Sequence, residues 1–274
     1  MNNIQLVNKY GIWAVVTGAS SGIGRAFASE LAANGFNLVL VARRQPELFQ
    51  LSSELEHTFG VEARVLALDL SDRSANEQLM MECEALDIGL LVAAAGFGTS
   101  GRFIDAELVD ELDMVDVNCR AVTEQVHYFA RRFARNKKGG IVLLSSIVAF
   151  QGVPKSSNYA ASKAYIQTLA EGLYYELKPY NVDVLAVAPG PVDSGFAERA
   201  RLSPGKMETP DIVAKQSIAA LGKRLTVRPG MLAKLLNFLL TVPRYFRIRI
   251  MALVMAGMTK PQLKNGTISE RGTK

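Results

Sequence analysis

Ile12-Trp-Ala-Val-Val-Thr17-Gly18-Ala-Ser-Ser-Gly22-Ile-Gly24 is an apolar run that breaks into three glycines within seven positions. The six-residue run Ile12–Thr17 reads as a strand buried on both faces, because it is continuous and not alternating. Arg25–Ala33 carries helical periodicity and ends at Asn34-Gly35. The glycines therefore lie between a strand and a helix. Such a turn is tight, lets an anionic group approach the backbone, and leads into a helix N-terminus with free N–H groups. A glycine-rich turn with no ligand is the plain alternative.

The same strand-then-helix rhythm continues outward. Asn37–Ala42 reads as a strand, Pro46–Phe59 as an amphipathic helix stopped by Gly60, and Glu62–Leu68 as a strand. Ser71–Leu86 reads as a helix with a Ser or Asp cap, and Ile88–Ala93 as a strand. One long helix is expected from about Asp105 to Arg135. Gly140–Ser145, Ser157–Lys178 and Val182–Ala188 complete a strand–helix–strand series. Repeated alternation with short links implies right-handed crossovers and a parallel sheet covered by helices on both faces. The expectation is an α/β, Rossmann-type doubly wound sheet in one domain spanning 1–230. A C-terminal helical extension, 231–274, is apolar and basic and not an independent domain. Segment 191–210, with Pro204-Gly205 and Pro210, reads as an irregular loop holding a short helix.

A chain of 274 residues is long enough to bury a large core. Charged residues are 21% and hydrophobic residues 49%, which excludes a disordered chain. The two cysteines, Cys83 and Cys119, form no CxxC, and His57 and His127 are the only histidines. A disulfide framework and a zinc site are therefore not expected, and a reducing, cytoplasmic setting is. The N-terminus shows no basic region leading into an apolar core and cleavage site, so no signal peptide is read. No stretch supplies the roughly 20 uninterrupted apolar residues of a membrane span.

A second constellation decides the chemistry. Tyr159 stands four residues before Lys163, and Ser146 thirteen residues before Tyr159, at the end of the Gly140–Ser145 strand. Residues four apart share a helix face. An ammonium there favours the phenolate of a group whose ordinary pKa is about 10. Ser145 would point to the opposite side of its strand and is given no direct role. Together with the spacing Gly18-x-x-x-Gly22-x-Gly24, this pair resembles the short-chain dehydrogenase/reductase family over roughly residues 10–200, in particular members that use NADPH on lipophilic carbonyls such as 3-oxoacyl thioesters or 3-keto sphingoid bases.

That resemblance implies catalytic roles for Asn118, Ser146, Tyr159 and Lys163. Tyr159 would be general acid, Lys163 would tune it and hold the nicotinamide ribose, Ser146 would bond the substrate oxygen, and Asn118 would hold a relay water. It implies cofactor contacts at Gly18, Ser20, Ser21, Gly22, Ile23, Gly24, Asp69, Leu70, Gly96, Pro189, Gly190, Val192 and Ser194, besides Tyr159 and Lys163. Ala93-Ala94-Ala95-Gly96 stands where family members carry Asn-Asn-Ala-Gly, and Ser194 where a threonine is usual. The second strand ends in Val41-Ala42-Arg43-Arg44, with no acid before Glu47. A carboxylate there would suit NAD, whereas arginines suit a 2′-phosphate. The cofactor expected is NADP(H), held by Arg43 first and Arg44 second. A helix-capping role for Asp69 and a surface position for Asn118 stay open. No metal is expected.

Phe97, Val148, Phe150, Val153 and Phe196 are candidate substrate-pocket residues. Their apolar character points to a lipophilic ketone or secondary alcohol. Residues 212–269 contain no Asp or Glu but ten basic residues, against a net charge of +5 for the whole chain. The rest of the chain is therefore net acidic. Met231–Val242 reads as an apolar helix broken by Pro243, followed by Arg244, Arg247, Arg249 and the apolar Ile250–Gly257. Two readings of 231–258 stay open: a cleft cover or subunit contact, and peripheral attachment to an anionic membrane. Nucleic acid is not an expected partner, because the basic residues are interleaved with aliphatic ones. The resemblance implies a homo-oligomer, dimer or tetramer. The rival to an oxidoreductase is a catalytically silent nucleotide-sensing or scaffold protein of the same fold.

Overall fold

A computed structural model describes residues 3–203, 205, 207–230, 233 and 241–259. Seven parallel strands form one sheet in the order β3-β2-β1-β4-β5-β6-β7. They are β1 (Trp13–Thr17), β2 (Asn37–Ala42), β3 (Ala63–Ala67), β4 (Ile88–Ala93), β5 (Gly139–Leu144), β6 (Val182–Val187) and β7 (Thr226–Val227). The Rossmann-type expectation holds. Side chains of the central strands alternate between two cores, as strand geometry requires. Ala14, Val16, Leu38 and Leu40 enter one core, while Val15, Val39 and Val41 enter the other. The first core is covered by α1 (Asn3–Tyr10), α2 (Gly22–Ala33), α3 (Gln45–Phe59) and α9 (Pro210–Ala220). The second lies under α4 (Arg73–Glu82), α6 (Val122–Asn136) and α7 (Ser157–Leu177). The strand order reverses between β1 and β4, so their C-terminal ends diverge into a cleft, where open α/β sheets bind ligands.

Two elements differ from the sequence expectation. The N-terminus does not run straight into a strand. It forms α1 first, and Tyr10 buries itself to donate a hydrogen bond to Asp183 at 2.8 Å, beside a Lys9–Asp183 ion pair. Gly89 and Gly140 make room for it: a Cβ on Gly89 would fall 1.4 Å from the Tyr10 carbonyl oxygen. The helix expected over 105–135 is broken into a 3-10 turn at Phe103–Asp105, α5 (Leu108–Val115), a π-helical segment at Asp116–Ala121, and α6. Pi segments inside helices re-aim side chains, and this one contains Asn118.

A short helix, α8 (Phe196–Arg199), lies in the irregular segment. The tail helix, Arg244–Met258, starts directly after Pro243. Its end is tied back to the α8 loop: Leu202 bridges Thr259, and the Ser203 N–H donates to the Met258 carbonyl at 2.8 Å. The apolar helix expected over 231–242 lies outside the described residues except for Ala233, Thr241 and Val242. Among the described residues, no helix is long and apolar enough to cross a membrane.

Candidate active site

The cleft at the β1/β4 divergence is a cavity of about 860 Å³. Its floor is the glycine loop. Gly18 has φ +68° and its Cβ would lie 2.9 Å from Ala95, while a Cβ on Gly24 would sit 2.2 Å from the Gly18 carbonyl. A Cβ on Gly22 would strike Ser194 at 2.5 Å. The three glycines are thus required by the chain's own packing as well as by any ligand. Ser21 is the N-cap of α2 but makes no side-chain cap bond, so the first-turn N–H groups face the cavity without a capping oxygen. That is the donor set a pyrophosphate needs, and the residues present fit a dinucleotide.

Further along the same wall lie Ser20, Ile23, Arg43, Arg44, Asp69, Leu70 and Gly96. Arg44 donates to Ser20 Oγ at 3.0 Å and stands 3.6 Å from Glu47. Arg43 is 3.6 Å from Asp69. Asp69 does not cap α4, since Asp72 does that through Ser74. Asp69 instead accepts from the Ser71 N–H and hydroxyl at 3.0 and 2.8 Å. Partial burial pushes its carboxyl up, but those bonds and Arg43 win and hold it below the usual carboxylate range. On the far side, Pro189, Gly190, Val192 and Ser194 line the cavity. Glu208 braces that segment through backbone bonds of 2.9 Å to Asp193 and Pro191.

Ser146, Tyr159 and Lys163 converge on the cavity. Ser146 ends the β5 side in extended backbone and accepts from the Val148 N–H at 3.4 Å. Tyr159 and Lys163 share the inner face of α7. Lys163 Nζ lies 5.8 Å from the Tyr159 ring centroid and donates to the Leu144 carbonyl at 2.7 Å. Ser145 also borders the cavity, but its hydroxyl donates to the Lys163 carbonyl at 3.2 Å. The expected lowering of the Tyr159 pKa is not what the structure gives. Burial pushes the phenol up to about 12, and its hydrogen bond with Ser146 pulls back only part of that. Burial likewise brings Lys163 down to about 8. Desolvation disfavours both charged forms and is the largest cause of each shift.

Asn118 is buried, not on the surface. Its Oδ1 accepts from the Phe97 N–H at 3.1 Å, and its Nδ2 donates to the Phe97 carbonyl at 2.9 Å and to Ser162 Oγ at 3.0 Å. Both amide hydrogens are therefore spent on fixing the β4 loop to α7. A Cβ on Gly96 would lie 2.9 Å from Asn118 Oδ1 and 3.4 Å from Lys163 Nζ. Gly96→Ala is expected to displace both groups, cutting kcat by about 10-fold while Tm falls only a few degrees, since overpacking costs roughly 1–3 kcal/mol. Steady-state rates beside a melting curve check it.

Of the apolar candidates, Phe97, Val148, Val153 and Phe196 line the cavity. Phe196 packs on Tyr159 with ring centroids 5.1 Å apart. Phe150 does not line it. The 3-10 turn Ile147–Phe150 carries its ring to the other side, where the Arg228 guanidinium stacks on it at 4.7 Å.

Other residues complete the site, and among them Glu111 was not legible in the sequence. Arg199 on α8 stacks over the Phe97 ring at 3.9 Å. Glu111 is buried behind the site, accepting from Thr99 and Asn158, both at 2.7 Å, while Ser156 donates to the Thr99 carbonyl. Asn158, a polar residue beside Tyr159, was the one available signal. The tail helix supplies a whole wall through Arg247, Ile250, Met251, Val254, Met255 and Met258. Met255 is buried with Val153 and Ala160, next to Tyr159. Its opposite face leaves Tyr245, Phe246 and Leu253 exposed.

Comparison with known proteins agrees with this geometry. The family model described as short chain dehydrogenase matches residues 12–204. A 7beta-hydroxysteroid dehydrogenase of Clostridium sardiniense is 32% identical over 228 residues, covering 82% of this chain and 87% of that protein. A very-long-chain 3-oxoacyl-CoA reductase of Podospora anserina is 37% identical over 206 residues, 73% of this chain and 61% of that protein. Among solved structures, a short-chain dehydrogenase from Sphingobium yanoikuyae in complex with NADPH superposes with a TM-score of 0.76 at 26% identity, covering 92% of this chain and 98% of that one.

Proposed function

The chain belongs to the short-chain dehydrogenase family, and from that premise we propose that it is an NADP(H)-dependent oxidoreductase interconverting a lipophilic ketone and its secondary alcohol. The observation that carries this reading is the convergence of Ser146, Tyr159 and Lys163 on one cavity, with the uncapped α2 N-terminus at its floor and methionines and phenylalanines on its walls. The NADPH-bound Sphingobium neighbour and the steroid and oxoacyl names of the relatives support the cofactor and the substrate class.

The Gly18–Gly24 loop, Arg43, Arg44, Gly96, Val192 and Ser194 line the cavity and would hold the dinucleotide, whose nicotinamide would supply the hydride. Ser146 donates a hydrogen bond to the carbonyl oxygen, where negative charge develops. Tyr159 gives that oxygen its proton, and the Lys163 ammonium stabilises the phenolate left behind. Asn118 keeps the β4 loop and α7 in register, so that Gly96 and Lys163 meet. The tail helix excludes water from the reacting atoms, which makes Arg244–Met258 part of the catalytic unit. The apolar stripe Leu108, Val109, Leu112 and Val115 on α5 is exposed and supports a homo-oligomer.

The direct test is NADPH oxidation against a panel of steroid ketones, 3-oxoacyl thioesters and simple ketones, with NADH beside each. Turnover with NADPH, and little with NADH, is expected. No turnover with any carbonyl would remove the reading. The pH profile adds a second check. Tyr159, near 12, stays protonated across the neutral range, whereas Lys163, near 8, loses its charge above that value. Reduction is therefore expected to be level from pH 6 to 7.5 and to fall above about pH 8, as the ammonium that holds the phenolate disappears. A Lys163→Arg variant that still turns over should lack that fall.

A further inference from the structure

The tail helix places one cation on the cavity wall. Arg247 Nη1 donates to the Phe150 carbonyl at 3.3 Å, and its Nε is buried with no hydrogen-bond partner. Arg228 stacks on the other side of Phe150, and its Nε is also buried without a partner. Neither guanidinium forms an ion pair among the described residues. A buried N–H donor with nothing to donate to is costly and uncommon in a finished structure. Arg247 lines the cavity and Arg228 does not, so the opening toward a ligand belongs to Arg247.

Helix geometry sets where this cation lies. Arg247, Met251 and Met255 are spaced by four residues and share one face, all lining the cavity. Met255 is buried beside Ala160, next to Tyr159. Eight residues of helix carry the wall about 12 Å from there to Arg247. Between the two ends the wall is Met251 with its neighbours Ile250 and Val254. The cavity thus has a proton donor at one end, an apolar middle, and a guanidinium with no ion-pair partner among the described residues at the other. The acids that line it, Asp69, Asp113 and Glu198, form no ion pair with Arg247.

The geometry points to Arg247 as the receptor for an anionic group on the substrate, remote from the reacting carbonyl. The substrate is then an amphiphile: a rigid or extended apolar body with a ketone near one end and a negative charge near the other. This rests on the oxidoreductase reading of the cavity and narrows its substrate class. An anionic end is compatible with a side-chain carboxylate or with the phosphates of a coenzyme A thioester, and the experiment separates the two.

The test measures equilibrium binding by calorimetry with the full chain in the presence of NADP⁺, so it does not depend on turnover. The probes are a steroid ketone bearing a side-chain carboxylate and its methyl ester, and a 3-oxoacyl-coenzyme A and the matching N-acetylcysteamine thioester. At least one anionic probe is expected to bind about 10- to 100-fold more tightly than its neutral partner, as charge-assisted bonds to arginine do. Arg247→Gln should erase that difference without weakening the neutral probe, and Arg247→Lys should restore part of it. Discrimination within the carboxylate pair alone identifies a carboxylate substrate, and within the thioester pair alone a phosphate-bearing one. Equal affinities within both pairs, or discrimination that survives in Arg247→Gln, would overturn the inference. Arg247→Lys with a wild-type melting temperature guards against a folding artefact. A chain that binds the acid through Arg247 but reduces no ketone would sink the oxidoreductase reading and leave only the anion-receptor role of Arg247.

Discussion

Tyr159→Phe is expected to lower kcat for carbonyl reduction by about 10²–10⁴-fold, the span a positioned general acid contributes, while NADPH binding changes little. The phenol oxygen is the only part removed. The ring keeps its packing against Phe196 at 5.1 Å and against Gly98, whose missing side chain leaves room for the Tyr159 ring. A loss confined to the proton-transfer step should therefore appear in kcat, with Tm and the NADPH dissociation constant within error of wild type. Burial that pushes the phenol up to about 12 strengthens the expectation. A group so reluctant to ionise in the structure stays protonated, ready to donate, and needs the Lys163 ammonium to lower the cost of the phenolate it becomes. Fluorescence titration of NADPH beside stopped-flow reduction distinguishes the outcomes. Unchanged turnover would move the proton donor elsewhere. Unchanged NADPH binding and an unchanged cellular phenotype, with no turnover in either protein, would favour the silent nucleotide-sensing reading.

How much of this was legible beforehand depended on how local the cause was. The bounds of β2 and β4 match the apolar runs Asn37–Ala42 and Ile88–Ala93, because a strand buried on both faces writes its burial in every residue. Tyr159 and Lys163 were legible for a similar reason: both act from one helix face. Elements whose reason lies far along the chain were not. The N-terminal helix α1 exists to place Tyr10 over Gly89 and Gly140 and against Asp183, contacts that no local pattern around residue 10 contains. The break at Asp116–Ala121 follows from Asn118 reaching Phe97 and Ser162, which a periodicity running smoothly across 105–135 conceals. Phe150 was placed in the pocket by its chemistry and taken out by a 3-10 turn. The basic, acid-free tail was visible as composition, yet its contribution of a cavity wall needed the loop at Leu202–Ser203 to hold its end. On the proposal made for Arg247, one of its arginines has a role inside the cavity.

The joint variant Arg43→Ala/Arg44→Ala is expected to weaken NADPH binding by about 10²–10⁴-fold, since each arginine–phosphate contact is worth about 1.5–3 kcal/mol, and to leave NADH binding within a few-fold. The two arginines are suited to the task in different ways. Arg44 is held to the glycine loop through Ser20 at 3.0 Å, so its guanidinium stays beside the dinucleotide's path. Arg43 spends part of its charge on Asp69 at 3.6 Å, and a 2′-phosphate would have to compete with that carboxylate. Arg44→Ala alone should therefore cost more than Arg43→Ala alone. Both side chains are about half exposed, and exposed ion pairs of this kind add little to folding. Tm should accordingly stay near wild type, which separates a lost phosphate contact from a damaged fold. Salt provides an independent measure: wild-type affinity for NADPH should fall as ionic strength rises, and the double variant should show a much flatter dependence. If both proteins bind NADPH and NADH alike, the end of β2 does not select the cofactor. Discrimination would then have to come from the opposite side of the cleft, where Arg199 on α8 is the remaining cation that lines the cavity near Arg43.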